Sequence, residues 1–311
     1  MVTAIVPHSH VDLEKEVQTI IEDDVLTNPT NIGVIPTNPT FLAVGPDGGS
    51  IVSTFSPTKR DRRKAGTRTR IGISVTKKKY TARLVFKASD NNLALQKWCI
   101  NESAKGGTVT PAATRTFLKS YLVGATETYE IFRGCVPEKT NIGVSKDGEI
   151  IYTVDLKCKT IVENQTANGG ITLGTGAFAS PDTAAPWKAS DGGANAFAHN
   201  SINYGLEGMS IDITREYAVQ DPSESLEDMM YAETINTVSG SVDIQKSNIA
   251  ISTDARATTL RAMTLVLKAA TLTLTFANAN FDGHTGLDHD PTSSALLTDS
   301  ENFTADSVVA A

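Results

Sequence analysis

The side chains with the greatest chemical reach in this chain are three cysteines, Cys99, Cys135 and Cys158, and two histidine pairs, His8/His10 and His284/His289. Thiolates and imidazoles ligate zinc or serve thiol catalysis when they stand at short fixed intervals. Here they do not. No C-x-x-C occurs, and the cysteines are odd in number and far apart, so the reading is buried free thiols. Neither histidine pair has a thiolate or a second paired ligand set beside it in sequence. No metal and no cofactor is expected.

Catalytic patterns are missing as well. There is no G-x-S-x-G elbow, Walker loop or HExxH helix, and "GGITLGTGAF" lacks the strand before it and the helix after it that a dinucleotide fingerprint needs. Carboxylates are plentiful, yet none stands in a recognisable pair at a strand end. The chain is read as a protein without catalytic residues.

Charge is the remaining chemical signal. Between Lys59 and Lys87 there are twelve Lys or Arg against one acid, Asp61, while Glu216 to Glu233 carries six acids and no Lys or Arg. A basic run invites a nucleic-acid reading, because phosphate contacts come from such clusters. It competes with a plainly solvated loop, and aromatics apart from Tyr80 and Phe86 are absent from it. A third reading pairs the two runs between copies of the same protein, where complementary charge steers and registers an assembly.

The elements that would carry these residues are mostly strands. The chain has 311 residues, 40% hydrophobic and 20% charged, with a formal net charge of −7, enough for two ordinary domains. Threonine, glycine and β-branched residues recur and helical periodicity is scarce, so the fold class is all-β with short helices. The opening "MVTAIVPHSHVDLEKE" has no basic n-region, and no stretch approaches a membrane span. A soluble product made in the cytoplasm is expected.

One hairpin can be set in register from sequence. Thr140, Ile142 and Val144 alternate with polar residues, and so do Ile150, Tyr152, Val154, Leu156 and Cys158. A two-residue Asp147-Gly148 turn would put the two apolar sets on opposite faces. A three-residue turn, Lys146-Asp147-Gly148, places Ile142 opposite Tyr152, with Gly148 expected in the left-handed region.

Elsewhere, Tyr80, Ala82, Leu84, Phe86 and Ala88 share a strand face. Asp90 is the expected N-cap of a short helix that turns Leu95, Trp98 and Cys99 inward. Residues 1–45 read as an arm and 46–163 as a first domain. Residues 164–204, rich in Gly, Ala, Ser and Pro, read as a linker or surface excursion, and 205–311 as a second domain. In that second domain Met209, Ile211 and Ile213 form a strand and Val238, Val242 and Ile244 its partner. A helix is expected from Asp254 to about Met263, then a strand with Leu272, Leu274 and Phe276 on one face. The order strand, long loop, strand, short helix, strands thus occurs twice, which suggests a duplication.

At this point the residues become recognisable. "ETYEIFRGCVPEKTNIGVSKDGEIIYTVDLKCKT" is similar to the signature hairpin of tail tube proteins of long-tailed bacteriophages and archaeal viruses. There an aromatic, a short polar step and Gly precede two alternating strands. "YTARLVFKASDNNLALQKWCI" resembles the strand and short helix before that hairpin, and "PTNPTFLAVG" the N-terminal segment common in the family. The resemblance covers residues 30–160 well and 205–311 more loosely, the last hairpin being interrupted by "DGHTGLDHDPTSSALL".

The resemblance implies two tandem tail-tube-type β-sandwich domains whose strands form a shared β-barrel in an oligomeric ring around a lumen for viral DNA. The expected partners are copies of itself in homotrimeric, pseudo-sixfold rings, or alternatively hexamers, stacked into a tube. The other expected partners are tail proteins (tape measure, terminator, distal tail) and DNA passing without specific binding, with no membrane. The location expected is the virion tail. Inter-ring contacts are expected from Lys59, Arg60, Arg62, Arg63 and Lys64 against Asp221, Glu224, Glu227 and Asp228. The lumen is expected to be lined by hairpin residues around Gly148, Glu149 and Asp155, with Lys157 and Lys159 placed away from it. A virion decoration or host-surface binding β-sandwich is the alternative. It is weakened by the presence of only two tryptophans, Trp98 and Trp187.

Overall fold

In a computed structural model of the chain, the residues described are 14–21, 32–63, 70–100, 114–123, 126–145, 148–165, 171, 176–194, 196–220, 230–245, 251, 254, 258–282 and 298–311. A first unit runs β1 (Glu14–Ile21), β2 (Leu42–Ala43), β3 (Ser50–Arg63), β4 (Arg70–Lys87), α1 (Leu93–Ile100), β5 (Arg115–Val123), β6 (Thr126–Ser145), β7 (Ile151–Cys158) and β8 (Thr160–Gln165). A second runs β9 (Phe197–His199), β10 (Ile202–Gln220), β11 (Met230–Gln245), β12 (Arg261–Lys268), β13 (Leu272–Phe281), β14 (Thr298–Ala305) and β15 (Ser307–Ala310). The fold is all-β. Among the described residues no helix is long and apolar enough to cross a membrane.

The two units repeat one pattern of antiparallel ladders. β3·β4 recurs as β10·β11, β4·β7 as β11·β14, β6·β7 as β13·β14 and β5·β6 as β12·β13. β6·β8 recurs as β13·β15, β1·β5 as β9·β12, and β1·β2 as β9 with the first residues of β10. Ile251 and Asp254, both helical, stand between β11 and β12 as α1 stands between β4 and β5. In the second unit the ladders return on themselves, so that two packed sheets close into a six-stranded antiparallel barrel. In the first, the same circuit is interrupted between β2 and β3 by the tight turn Pro46–Gly48, where Asp47 has φ 62°.

The alternations seen in sequence explain the core. Ala82, Leu84 and Phe86 of β4 meet Leu156, Val154 and Tyr152 of β7, all buried, and the Phe86 and Tyr152 rings stack 4.9 Å apart. Ile142 lies opposite Tyr152 and Thr140 opposite Val154, the register derived above; Lys146 and Asp147 of the turn lie outside the described residues. Cys99, Cys135 and Cys158 are buried and free, with the Cys135 and Cys158 sulfurs 2.8 Å apart.

Several expectations are corrected. The "long loops" are paired strands: the β3·β4 ladder continues to Arg63 opposite Arg70, and β10·β11 to Gln220 opposite Met230. Charged residues dominate these runs and read as loops, although Ile71, Ile73 and Val75 of β4 alternate as strand residues do. The supposed arm contributes β1, whose Val17 is fully buried and which pairs with β5. The supposed excursion is docked. Trp187 is buried, donates its backbone N–H to Ala88 O and its indole N–H to Asp90, and accepts from Ile150 N–H; burial of such a side chain contributes roughly 2–3 kcal/mol.

That contact displaces Asp90 from the helix cap. Asn92 sits there instead: its carbonyl accepts from Leu95 and Gln96 N–H, and its side chain accepts from Ser89 N–H while donating to Val44 O and Lys87 O. The helix expected over 254–263 stops short, because Thr258 has φ 51° and β12 begins at Arg261.

β6 changes sheets beside Gly134, pairing with β5 and β8 up to Cys135 and with β7 and β10 from Val136 onward. Gly134 has φ 62°, and a Cβ there would lie 2.6 Å from Ile32 Cγ2 and 2.7 Å from Lys159 Cβ. Left-handed backbone and overpacking then act together. Gly134→Ala should cost about 2–4 kcal/mol, read as a lower urea midpoint at unchanged slope.

Candidate functional surfaces

The one ladder with no counterpart is β6·β10, which pairs Lys139–Ser145 with Gly208–Thr214 and joins the units. It makes β3-β4-β7-β6-β10-β11-β14 a single sheet. Its inward positions are the core. Its outward positions are mostly short polar residues with charges arranged in rows, together with the exposed apolar side chains of Val52 and Ile151.

One row crosses four strands with alternating sign: Arg83, Asp155, Lys139, Asp212. Arg83 Nε lies 2.7 Å from Asp155 Oδ1, and Lys139 Nζ 3.2 Å from Asp212 Oδ1. Asn141, one step along, donates to Ser210 Oγ and Asp212 Oδ1. At the sheet margin Lys87 pairs with Glu149 at 2.8 Å and Asp47 at 2.6 Å. The Asp155 hydrogen bond and charge raise the Arg83 pKa, and hydrogen bonds to Asp47 and Glu149 raise that of Lys87. Such exposed pairs contribute little stability. Their effect is to cancel the local field.

Of the residues expected around the lumen, Asp155 and Glu149 lie along this sheet but are neutralised by Arg83 and Lys87. Gly148 lies at its margin, accepting from Ala189 N–H at 3.4 Å. Lys157 shares the side of Asp155, since residues two apart in a strand point the same way. Lys159 follows the last residue of β7 and donates to Ile32 O at 2.8 Å. Of the expected inter-ring residues, Lys59 is exposed on β3, and the backbones of Arg60, Arg62 and Arg63 continue that strand. Lys64, Asp221, Glu224, Glu227 and Asp228 lie outside the described residues, as do His8, His10, His284 and His289.

Sequence reading missed Arg215. It follows Met209, Ile211 and Ile213 at an inward position of β10, is 2% exposed, and donates from Nη2 to Cys99 O at 2.8 Å and Ile100 O at 2.9 Å. A strand of the second unit thereby caps the C-terminal carbonyls of the first unit's helix. Tyr217 OH donates to Pro137 O and Thr140 Oγ1 to Cys99 O across the same region. The signal was present: a charge in phase with an apolar strand face must find a buried partner. Burial pushes the Cys99 thiol up to about 12, with Arg215 and Arg115 pulling the other way, so it is held neutral.

The nearest thing to a catalytic cluster is His199, Asp254 and Arg261. His199 is fully buried, edge-on to Phe281, with Nε2 3.8 Å from Asp254. No group of three or more metal-ligating side chains occurs among the described residues. No protein-family model matches the chain, and no curated protein matches it.

Arg215→Met orphans two helix-end carbonyls and should destabilise by about 2–4 kcal/mol, read by urea unfolding. Burial lowers the His199 pKa, outweighing Asp254, which raises it; Arg261 also lowers it. The unfolded chain therefore takes up a proton below about pH 6.5 that the folded chain refuses. The stability this residue contributes is complete above that pH and falls below it. His199→Leu should flatten the loss of melting temperature between about pH 7 and pH 5.

Proposed function

We propose that this protein is a virion structural protein, a tail tube protein, whose copies close into rings that stack into a channel for viral DNA. The observation that carries this reading is the chain's construction: two units of one topology, fused by strand pairing into a continuous sheet whose outward charges cancel. A duplicated unit that continues its neighbour's sheet is what a ring requires. Three chains supply six units, giving a trimeric, pseudo-sixfold ring.

A face mainly of hydroxyls, amides and paired charges, with Val52 and Ile151 its exposed apolar members, suits passage of a polyanion, because unpaired Lys and Arg would bind phosphates while a net negative wall would repel them. The two long hairpins, β3·β4 and β10·β11, stand at equivalent positions of the two units, and their tip sequences are basic and acidic respectively. They are assigned to contacts between stacked rings. Tape measure, terminator and distal tail proteins are the proposed neighbours in a virion.

Negative-stain microscopy and native mass spectrometry of concentrated protein should give rings of three chains and, with stacking, tubes. A monomer at every concentration would refute the reading, and strict sixfold symmetry would replace the trimer with a hexamer. Replacing Arg60, Arg62, Arg63 and Lys64 together with Glu should block tube growth while leaving rings folded. Normal tubes would remove the basic arm from the stacking contact.

A further inference from the structure

Inside the chain, the first unit closes one end of the second. α1 packs against β15, its terminal carbonyls are held by Arg215, and β6 lies along β10. Ile211, Ile213, Val238 and Val308 of the second unit are all buried, in one cluster with residues of the first.

The equivalent end of the first unit is open. The equivalence follows from register: Phe55 lies opposite Tyr80 and Tyr80 opposite Cys158, the residue before the bend at Lys159. Likewise Ile213 lies opposite Val238 and Val238 opposite Ala305, the residue before the bend at Asp306. Ile211 thus corresponds to Ser53, and Val308, paired with Phe276, corresponds to Ile161, paired with Phe132. Ser53, Phe55, Tyr80 and Ile161, with Glu163, line a surface depression of about 360 Å³. Phe55 is 51% exposed and rests on Tyr80 at 5.1 Å, whereas its counterpart Ile213 is fully buried. Among the described residues, no strand pairs with the edge of β3 that corresponds to the β10 edge covered by β6.

On the second unit, a position that the first unit buries is open. Arg261 corresponds to Arg115, since they pair with Ala279 and Cys135 at equal distances from Phe276 and Phe132. Leu260 therefore occupies the position of Thr114. Thr114 is fully buried, and Leu260 is 53% exposed.

We infer that the depression around Phe55 is a docking surface for the second unit of another copy of this chain, presented by the side bearing Leu260. The contact is head-to-tail and reproduces between molecules the junction that already exists within one. This deepens the ring reading and rests on it in taking the partner to be the same protein. The occupant follows from continuity with the internal interface: the molecule already pairs β6 along the matching strand of the second unit, and that unit leaves Leu260 exposed where the first buries Thr114.

The test uses two full-length variants, Phe55→Asp and Leu260→Asp, both at exposed positions, with circular dichroism as the folding check. Native mass spectrometry should show each alone shifted towards monomer, the half-assembly concentration rising at least about tenfold. Mixed together, they should form a discrete one-to-one dimer and nothing larger, because one intact contact remains and each end is then blocked. Wild-type rings alongside undiminished assembly of folded Phe55→Asp would overturn the docking surface while leaving the ring reading intact. A wild-type chain that stays monomeric at all concentrations would overturn both. Dimers in either variant alone, or none in the mixture, would show the contact not to be head-to-tail. A benzophenone side chain at position 55 should cross-link to a second copy's residues near Leu260; capture of an unrelated protein, with no self-product, would overturn the assignment of the occupant.

Discussion

Much of this molecule depends on what one strand does with its two edges. β10 runs from Ile202 to Gln220, and β11 occupies one edge nearly throughout. On the other edge, β9 takes the first few residues and β6 takes Gly208–Thr214. Main-chain groups left unpaired in a long strand are costly when buried and a template for aggregation when exposed. By satisfying both edges within one chain, β10 closes the second barrel and binds the first unit to it. β3, its counterpart, has the same need and meets only half of it.

The asymmetry between the units shows how duplication and divergence divide the work. In the first unit an outer apolar layer of Ile20, Phe41, Leu118, Tyr129 and Ile131 is covered by residues around Ile35 and by Ile171 and Phe178. In the second unit the positions matching Leu118, Ile131 and Tyr129 are Thr264, Thr275 and Thr273, which need no cover. The Gly- and Ala-rich segment that reads as a linker is therefore a lid for the first unit, tied by Gln18 to Ala179 in both directions and by Phe41 to Ala177. Its composition conceals this because the apolar anchors, Ile171, Phe178 and Trp187, are few and widely spaced among Gly, Ala, Ser and Pro.

The sequence was legible where a strand kept a regular alternation against the core, and less so at β1 and β12, whose buried Val17 and Met263 were not read as strand residues. Leu84, Val154 and Ile213 announce their strands, the register of β6 against β7 follows from parity alone, and the repeated order of elements is visible without any repeated residues. The site was less legible. Past Thr58 and Tyr217 charged residues dominate both runs and read as loops, although Ile71, Ile73 and Val75 alternate as strand residues do. Asp90 and Asn92 are both good caps, and only the presence of Trp187 decides between them. Arg215 was readable as an anomaly of phase, but its partners are backbone carbonyls on a helix distant in sequence, which no local pattern names. Leu260 and Phe55 carry no signal of their own. Their exposure becomes informative only beside Thr114 and Ile213, and that comparison needs the registers of both units.

The charges of the outward sheet face show a further constraint. The whole chain carries a net charge of −7, yet the row Arg83, Asp155, Lys139, Asp212 alternates in sign across four strands drawn from both units. Neighbouring strands bring such residues within a few ångströms, where like charges would oppose the pairing and opposite charges assist it. The last pair in the row spans the β6·β10 junction, and Asn141 bridges the same junction to Asp212. Cancellation of charge and continuity of the sheet are thus achieved by the same residues. A substitution that unbalanced this face would also weaken the join between units, so the electrostatics of the surface and the mechanics of the molecule are not separable properties here.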